Sequence, residues 1–302
     1  MSGDKFNGVL VINKSGGMTS HDVVGRLRRL THQKKIGHAG TLDPDATGVL
    51  IVCLGSATRL SEYLTGHDKE YRCTILLGTE TDTQDISGRI TAQHPADIGA
   101  AELEDALASF TGETQQIPPM YSAIRHHGRH LYELARAGET VERAPRTIRI
   151  EQIHPESIHL PEATFTVTCS KGTYIRTLCH DIGRKLGCGA CMKALERIRS
   201  GSFGIEEAVT LDGFEQALQE GRAATLLHPA DEVFADCPSA QTGDEGDHRL
   251  YNGNVLQPHH LTSGVPDQYE GRVRVYDSAG HFQALYRTDG GQLRPERMFL
   301  DI

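Results

Sequence analysis

The chain has 302 residues, with 31 Lys and Arg against 40 Asp and Glu, and a formal net charge of −9. This length suits one large domain, alone or followed by a small second domain. The chain has no run of about 18 apolar residues, so no membrane span is expected. The N-terminus does not resemble a signal peptide. The seven scattered cysteines argue against a secreted disulfide framework. We therefore expect a cytoplasmic protein.

The first half of the chain alternates predicted strands and helices. GVLVINK (Gly8–Lys14) is a short apolar run typical of a buried strand, and Thr19 or Ser20 can cap a helix through SHDVVGRLRRL. Residues 37–48 (GHAGTLDPDATG) are too polar for a core strand and too rich in glycine for a helix, which predicts an ordered loop. Later elements are predicted as strands at 48–55 and 70–78, a short helix at SATRLSEYL and an amphipathic helix at DIGAAELEDALASFTG.

The second half continues with mixed elements and ends in a small module. TIRIEQIHPESIHL and ATFTVTCS predict a hairpin, GTYIRTLCHDIGRKLG has apolar residues at helical spacing, and GCGACMKALERI is a helix-like segment. Residues 235–247 are polar and rich in Gly, Asp and Ser, which indicates a linker. GRVRVYD and HFQALYR follow as short strands. We therefore expect a large domain at 1–234, a linker at 235–247 and a small β-rich domain at 248–302.

Basic residues are concentrated in two segments of this acidic chain. Residues 21–40 hold five Lys and Arg against one acid, and residues 171–199 hold seven against two. An acidic protein can still present a basic face to a nucleic acid, so these segments are candidate phosphate contacts. Solvated helix faces explain the same pattern equally well.

Cys188 and Cys191 form a lone C-x-x-C, which is the spacing of half a zinc site or of a redox pair. No second close pair of Cys or His residues completes a set of four ligands. Two small packing residues are therefore the preferred interpretation, and we expect no metal site.

Several polar residues that could take part in catalysis lie between apolar stretches. Each one alone also fits an ordinary role, as a turn residue, a half-buried packing residue or a solvated cation. The candidates are His38, Asp43, Asp45, Tyr71, Tyr174 and Arg176.

Two enzyme chemistries could use the loop at 37–48. Paired carboxylates hydrolyse glycosides, but such pairs usually come from different segments, whereas Asp43 and Asp45 are two residues apart. A single carboxylate can act as a nucleophile when an arginine keeps it ionised, which needs only one Asp and a cation from elsewhere. Neither a Walker motif nor H-E-x-x-H is present.

Ordered blocks across residues 8–205 resemble the TruB family of tRNA pseudouridine synthases, and its bacterial branch in particular. The resemblance implies an α+β pseudouridine synthase fold, with a long mixed β-sheet and flanking helices. It also implies a small C-terminal PUA-like domain, to which RLYNGNVLQ and the strands after it are similar. The blocks are GVLVINKSGGMTSHDVV, GHAGTLDPDATGVLIVCLGSATRL, KEYRCTILLGTETDTQDISGRI, IPPMYSAIRHHGRHLYELARAG, CSKGTYIRTLCHDIG and ALERIRSGSFG.

The resemblance implies isomerisation of uridine to pseudouridine at position 55, in the T loop of tRNA. The base is flipped out, its glycosidic bond to N1 is broken, and C5 is joined to the ribose. Asp43 matches the family's catalytic aspartate, a nucleophile or a base for the ribose 2′ proton, and Arg176 matches the arginine that pairs with it. Tyr71 matches the tyrosine that stacks on the uracil and takes the C5 proton.

Four further positions match residues that bind the substrate. Tyr174 and Leu195 correspond to pocket residues around the base, and His38 corresponds to a histidine near the flipped nucleotide. Lys14 is the lysine of the family's Lys-Pro pair and an expected substrate contact, although Ser15 replaces the proline.

The chain departs from the family pattern at two more positions. Arg125 stands where a lysine is usual, and Glu196 stands where an arginine is usual, so no phosphate contact is expected at Glu196. The implied partner is the T arm of tRNA, and we expect a monomer that needs no cofactor, no membrane and no protein partner. The alternatives are a pseudouridine synthase for another RNA or a non-catalytic RNA-binding or RNA-folding protein. Asp43, Tyr71 and Arg176 together argue against the non-catalytic alternative.

Overall fold

A ten-stranded sheet and a five-stranded sheet organise the chain in a computed structural model, which describes residues 6–266 and 268–300. In chain order the α-helices are α1 (Ser20–Thr31), α2 (Ser61–Thr65), α3 (Ala100–Ala108), α4 (Leu131–Arg136), α5 (Ile175–Leu186), α6 (Leu211–Gln219) and α7 (Asp244–Tyr251). The strands are β1 (Gly8–Lys14), β2 (Ile36–Ala39), β3 (Thr47–Leu54), β4 (Lys69–Leu77), β5 (Thr79–Thr81), β6 (Ile90–Gln93), β7 (Gly112–Gln116), β8 (Arg125–His126), β9 (Arg129–His130), β10 (Arg146–His159), β11 (Glu162–Cys169), β12 (Ala190–Ser200), β13 (Phe203–Gly204), β14 (Leu227–His228), β15 (Ser239–Thr242), β16 (Leu261–Ser263), β17 (Arg272–Tyr276), β18 (Phe282–Asp289) and β19 (Gln292–Met298).

The large sheet is mixed and carries a hydrophobic cluster on each face. Its strand order is β14-β1-β3-β12-β4-β11-β10-β7, with β2 paired to β3 and β13 paired to β12. Neighbouring strands are antiparallel except β12 and β3, which run parallel. Helices α1, α3, α5 and α6 pack on one face, and α2 packs on the other. The predicted α+β architecture, a mixed sheet with flanking helices, is therefore confirmed.

Several local predictions are confirmed as well. α1 begins after Thr19, whose hydroxyl accepts from the Asp22 N–H while the Asp22 carboxylate accepts from the Thr19 N–H, as in a capping box. β10 and β11 form the predicted antiparallel hairpin. α5 buries Ile175, Leu178 and Ile182 at the predicted helical spacing.

The helix-like interpretation of GCGACMKALERI is wrong. Ala190–Ser200 forms β12, a central strand between β3 and β4. Its Ala, Leu, Lys and Glu residues favour a helix by only about 0.5 kcal/mol per residue, which strand pairing on both edges outweighs. The register also shifts between Met192 and Ala194 and between Arg197 and Arg199, so the sequence lacks the regular alternation of an uninterrupted strand.

The predicted linker at 235–247 is also wrong. It contains β15, which pairs antiparallel with β16 and parallel with β17, and it runs into α7. Thr242 is fully buried there and donates to the Tyr276 carbonyl at 3.2 Å. The small polar residues therefore belong to the five-stranded sheet β16-β15-β17-β18-β19. The prediction that the C-terminal region is β-rich is confirmed.

The C-terminal module, residues 239–300, packs against the face of the large sheet that α2 covers. Leu285 and Phe299 belong to the same hydrophobic cluster as Leu64 of α2. Tyr63 donates a hydrogen bond to Glu296 at 3.2 Å. The two parts of the chain therefore share one apolar cluster, and the opposite face of the sheet holds the larger core.

Candidate active site

The loop that carries Asp43 and Asp45 joins β2 to β3. The Ala46 N–H donates to the Asp43 carbonyl at 3.2 Å, which closes a turn around the proline, and the Gly17 N–H donates to the Pro44 carbonyl at 3.1 Å. Asp43 is half-buried, whereas Asp45 is exposed. The predicted ordered loop is therefore present, and it gives the two acids different environments.

Arg176 forms an ion pair with Asp43. Its Nε lies 2.9 Å from Oδ2 of Asp43, and its Nη2 donates to Oδ1 at 3.3 Å. Arg176 is the second residue of α5 and is only 5% exposed. The fold thus brings together the predicted carboxylate and arginine from positions 133 residues apart. Of the two loop acids, only Asp43 has an ion-pair partner within the described residues.

Further contacts fix the orientation of the Arg176 guanidinium. Nη1 donates to the Thr83 carbonyl at 3.1 Å and lies 3.5 Å from Oδ2 of Asp85. Nη2 also donates to the Tyr121 carbonyl at 3.0 Å. Because a guanidinium is planar and its donors are fixed in a fork, these contacts determine the direction it presents to Asp43.

Asp85 is a site residue that the sequence reasoning missed. Its Oδ1 accepts from the Thr83 hydroxyl at 2.8 Å and from the Ser87 N–H at 3.1 Å, while Oδ2 faces Arg176. Asp85 lies in the block KEYRCTILLGTETDTQDISGRI, in which the sequence singled out only Tyr71. Its partner is 91 residues further along the chain, and no local pattern signals such a pairing.

The electrostatics of Asp43 reflect competing effects. Burial raises the pKa of the Asp43 carboxyl above its ordinary value, Arg176 opposes this shift, and the negative charge of Asp85 adds to it. The expectation that the arginine keeps the carboxylate ionised is therefore only part of the account, because burial outweighs the arginine. Once ionised, a carboxylate with a raised pKa is a stronger base than a free aspartate.

Tyr71 lies on β4, between β11 and β12, and is 9% exposed. Burial raises the pKa of its hydroxyl, the positive charge of Arg197 opposes the shift, and the negative charge of Asp43 adds to it. The influence of Asp43 places the two side chains within electrostatic reach of each other. The phenol is therefore neutral near pH 7.

Arg197 lies on β12 opposite Tyr71 and is 1% exposed. Its Nε donates to the Val49 carbonyl at 2.7 Å, and its Nη2 donates to the Gly40 carbonyl at 3.0 Å. These bonds tie the start of the Asp43 loop to β3. Arg197 belongs to the basic segment at 171–199, but its burial excludes it as a surface phosphate contact.

The structure does not support the expected substrate contact at Lys14. The side chain is fully buried, and its ammonium donates to the carbonyls of Ser15, Met18 and Pro44 at 2.9, 2.8 and 2.8 Å. An ammonium has three N–H donors, and all three are used here. Lys14 therefore fixes the loop that carries Asp43 instead of facing a ligand.

His38 is half-buried on β2. Its ring packs edge-on against that of His21, with centroids 5.3 Å apart, and its Nδ1 is buried without a hydrogen-bond partner in the described part of the chain. Burial lowers the pKa of His38, and the nearby charges of His21 and Arg197 lower it further. The ring is therefore neutral near pH 7 and suited to stacking or to filling space.

The other two pocket candidates are half-buried. Tyr174 immediately precedes α5, and its ring faces Arg146, whose Cζ lies 5.9 Å from the ring centroid. Leu195 lies on β12 opposite Cys73 of β4. Tyr174 is thus two residues from Arg176, and Leu195 is on the strand beside Tyr71.

Some cations of the two basic segments are buried or held in ion pairs with other parts of the fold. Arg26 pairs with Asp212 and Glu215 of α6 at 2.5 and 2.7 Å. Arg176 and Arg197 are buried. The exposed cations include Arg29, Lys34, Lys171 and Arg184. A basic face built from these segments therefore holds fewer charges than the sequence count suggests.

Two absences can be stated for residues 6–266 and 268–300. No three His, Cys, Asp or Glu side chains are grouped so that they could hold a metal ion. Likewise, no helix there is both long and apolar enough to cross a membrane. Cys188 and Cys191 are buried free thiols, and burial raises the pKa of Cys191 to about 11.

Two family models match adjacent parts of the chain. The model described as TruB family pseudouridylate synthase (N terminal domain) matches residues 28–175. The model described as tRNA pseudouridylate synthase B C-terminal domain matches residues 176–235. Asp43 and Tyr71 fall in the first match and Arg176 in the second.

Relatives named tRNA pseudouridine synthase B align over most of the chain. The protein from Syntrophotalea carbinolica is 50% identical over 249 residues, covering 82% of this chain and 81% of that protein. The protein from Burkholderia mallei is 44% identical over 294 residues, covering 97% of each.

Solved structures have the same architecture, and the family follows from all these findings together. A chain of a Cbf5-Nop10-Gar1 complex superposes with a TM-score of 0.73 at 26% identity, covering 97% of this chain and 85% of that one. A chain of an H/ACA RNP bound to a substrate RNA containing 2′-deoxyuridine gives a TM-score of 0.72 at 25% identity, with the same coverage. The predicted pseudouridine synthase fold is therefore confirmed, and the chain belongs to the TruB family of pseudouridine synthases.

Proposed function

We propose that the chain isomerises uridine to pseudouridine at position 55, in the T loop of tRNA. The observation that carries the proposal is the half-buried Asp43 carboxylate held by the buried guanidinium of Arg176, within electrostatic reach of Tyr71. Membership in the family and the shared name of the relatives support tRNA as the substrate. The choice of the T loop and of position 55 rests on the sequence resemblance.

We assign Asp43 the role of acting on the ribose. As a nucleophile its carboxylate bonds to C1′ while the bond to N1 breaks, and the electron pair leaves with the uracil. The uracil then turns, C5 attacks C1′, and the carboxylate is released. As a base it would instead accept the proton on C2′ while the same glycosidic bond breaks, which leaves a double bond between C1′ and C2′. After the uracil has turned, C5 bonds to C1′ and the carboxylic acid returns the proton to C2′. Deuterium at C2′ gives a primary isotope effect only on this second route, so its size separates the two roles.

The remaining site residues act on the base. Tyr71 presents its ring to the uracil. After C5 has bonded to C1′, the neutral hydroxyl relays the C5 proton: its oxygen accepts that proton as it gives its own to solvent, and N1 takes up a proton from solvent. Tyr174 and Leu195 line the pocket, and the neutral ring of His38 fills space in the RNA stack. Extruding the target nucleotide costs a few kcal/mol, which aromatic stacking and phosphate contacts offset.

The experiment that tests the proposal uses an unmodified tRNA transcript and an isolated T-arm stem-loop. Pseudouridine is mapped by chemical labelling after incubation with the purified protein. We expect product at position 55 in both RNAs, because base flipping and local stacking need only the loop and its neighbouring phosphates. Product at another position, or in another RNA only, would replace the substrate assignment. Binding without any product would favour a non-catalytic RNA-binding protein.

We further propose that the chain works in the cytoplasm as a monomer, without a cofactor or protein partner. The purified protein alone should modify the transcript in the presence of a chelator. Light scattering during gel filtration, with and without the stem-loop, measures the state of association. Activity that chelation removes and zinc restores would contradict the cofactor assignment.

A further inference from the structure

Gln116, the last residue of the edge strand β7, makes two hydrogen bonds to the backbone of Tyr174. Its side-chain Oε1 accepts from the Tyr174 N–H at 2.8 Å, and its Nε2 donates to the Tyr174 carbonyl at 3.0 Å. Gln116 is 2% exposed. The side-chain amide thus pairs with one residue in the way that an opposing peptide would pair in an antiparallel ladder.

The residue that Gln116 holds is the start of the helix carrying Arg176. Tyr174 is the N-cap of α5, with extended backbone angles and no capping bond from its own side chain. The chain between strand β11 and α5 contains a turn at residues 171–172, followed by two residues without regular structure. Fixing both polar groups of Tyr174 therefore sets the position and rotation of the first turn of α5, on which Arg176 is the second residue.

A second contact joins the same segment to the same arginine. The chain runs from Gln116 through Pro118 and Pro119 to Tyr121, whose carbonyl accepts from Nη2 of Arg176 at 3.0 Å. The two prolines restrict the backbone between these anchors. We call residues 116–121 the strap. The strap contacts α5 at two points. Gln116 bonds to the N-cap residue of the helix, and the Tyr121 carbonyl bonds to the guanidinium of Arg176.

We propose that Gln116 is a positioning residue for the isomerisation. Its two hydrogen bonds fix the backbone of Tyr174. They thereby keep Arg176 at the position from which the guanidinium reaches Asp43, and they keep the Tyr174 ring beside the proposed substrate site. The inference rests on the proposed function, because the reaction it supports is the one assigned to Asp43. A purely structural role would require only that the buried amide be satisfied, and would leave the Asp43–Arg176 geometry unchanged when Gln116 is replaced.

The test compares three substitutions on one strand. Gln116→Met keeps the size of the side chain and removes both hydrogen bonds, and Gln116→Glu keeps the acceptor but cannot donate to the Tyr174 carbonyl when ionised. Gln115→Met is the matched control, since the Gln115 side chain is exposed and its one hydrogen bond among the described residues is to the Thr147 hydroxyl, at 2.8 Å. If the Met variant at position 116 does not fold in a thermal melt, the Glu variant supplies the measurement.

Two readouts separate positioning from stability. The first is the single-turnover rate with enzyme in excess, compared with the dissociation constant for the stem-loop. We expect Gln116→Met to lower the rate by about 10- to 100-fold, as misplacements near 1 Å do, with the dissociation constant changed less than about threefold. Gln115→Met should match the unsubstituted protein in both. An unchanged rate in a folded variant, or a loss confined to affinity, would overturn the proposal.

The second readout does not depend on activity. The Asp43 carboxyl is titrated by carbon NMR in the free protein, where it faces Arg176, Asp85 and Lys14. Because Arg176 opposes the effect of burial on the pKa of Asp43, a displaced guanidinium should move that titration to higher pH in Gln116→Met. A titration unchanged from the control contradicts the positioning role even if the protein makes no pseudouridine. Absence of product with the unsubstituted protein contradicts the proposed function alone.

Discussion

The charged side chains around the Asp43 loop and those of the C-terminal module follow different rules. Around the loop, Lys14 and Arg197 are buried and bond to backbone carbonyls, and Arg176 bonds to carbonyls and to two carboxylates. In the C-terminal module four of the six arginines form ion pairs with carboxylates, and in the pair of Arg294 with Asp289 both side chains are more than half exposed.

This difference shows where charge carries function in the molecule. A buried cation that bonds to carbonyls has a fixed direction, and its removal leaves several buried acceptors unsatisfied. An exposed ion pair gains little, because water screens it and two long side chains lose freedom in forming it. The net charge of −9 does not distinguish buried cations from exposed ion pairs. Four substitutions test the contrast.

The largest effect is expected at Asp43. Asp43→Asn keeps the shape of the side chain and removes the charge that Arg176 faces, so product formation should fall by more than about 1,000-fold, or ~4 kcal/mol. Binding of the stem-loop should stay within about tenfold. Asp45→Asn is the matched control, because that side chain is exposed and has no ion-pair partner within the described residues. An active Asp43→Asn protein, or an inactive Asp45→Asn protein that is folded, would refute the assignment.

The next effect is expected at Lys14 and concerns stability. Lys14→Met fills similar space but leaves the carbonyls of Ser15, Met18 and Pro44 without their donor. We expect a loss of about 2 to 4 kcal/mol in the free energy of unfolding, measured by denaturant titration. Lys34→Met, at an exposed position, serves as the control. Equal stability of the two variants would remove the distinction between fixed and solvated cations.

A smaller effect is expected at Asp85, together with a shift in pH dependence. The reactive form of Asp43 is ionised, so activity falls as the pH drops through the pKa that burial has raised. Asp85→Asn removes a like charge that adds to this raised pKa, so the acidic limb of the rate profile should move to lower pH. The plateau rate should also fall by about tenfold because Arg176 loses one anchor. An acidic limb that moves to higher pH instead would show that Asp85 acts on Asp43 mainly by positioning Arg176.

The smallest effect is expected in the C-terminal module. Arg294→Ala breaks the exposed pair with Asp289 and should shift the melting temperature by less than about 2 °C. Its rate on the stem-loop should be unchanged. A loss of tRNA affinity with unchanged stability would instead identify Arg294 as an RNA contact.

The sequence predicted those parts of the fold that local chemistry determines. The capped helix after Thr19, the hairpin of β10 and β11 and the apolar stripe of α5 each depend on residues close together in the chain, and each is confirmed. The β12 strand was predicted as helix-like because its residue types favour a helix, and only pairing with β3 and β4 makes it a strand. The residues at 235–247 resemble a linker in composition, but they contain β15, which pairs with β17 more than 30 residues later.

The candidate site divides in the same way. Asp43 and Arg176 were found through motifs, and the fold brings them together. Asp85 and Gln116 were missed because their roles consist of contacts to α5 from distant segments. Lys14 was found by its motif but given the wrong surroundings, since nothing in GVLVINK indicates that its ammonium would meet the Pro44 carbonyl.

The central position of β12 has a consequence for the order of assembly during synthesis. β12 separates β3 from β4 in the sheet, yet it is made more than 100 residues after either of them. At about 5 to 20 residues per second, a ribosome leaves the two earlier strands without their shared neighbour for several seconds to tens of seconds. During that interval the edges of β3 and β4 that later pair with β12 are open to other chains, and Tyr71 on β4 lacks Arg197 on the opposite strand. We therefore expect the nascent chain to complete the site around Asp43 late, once Ala190–Ser200 has left the ribosome.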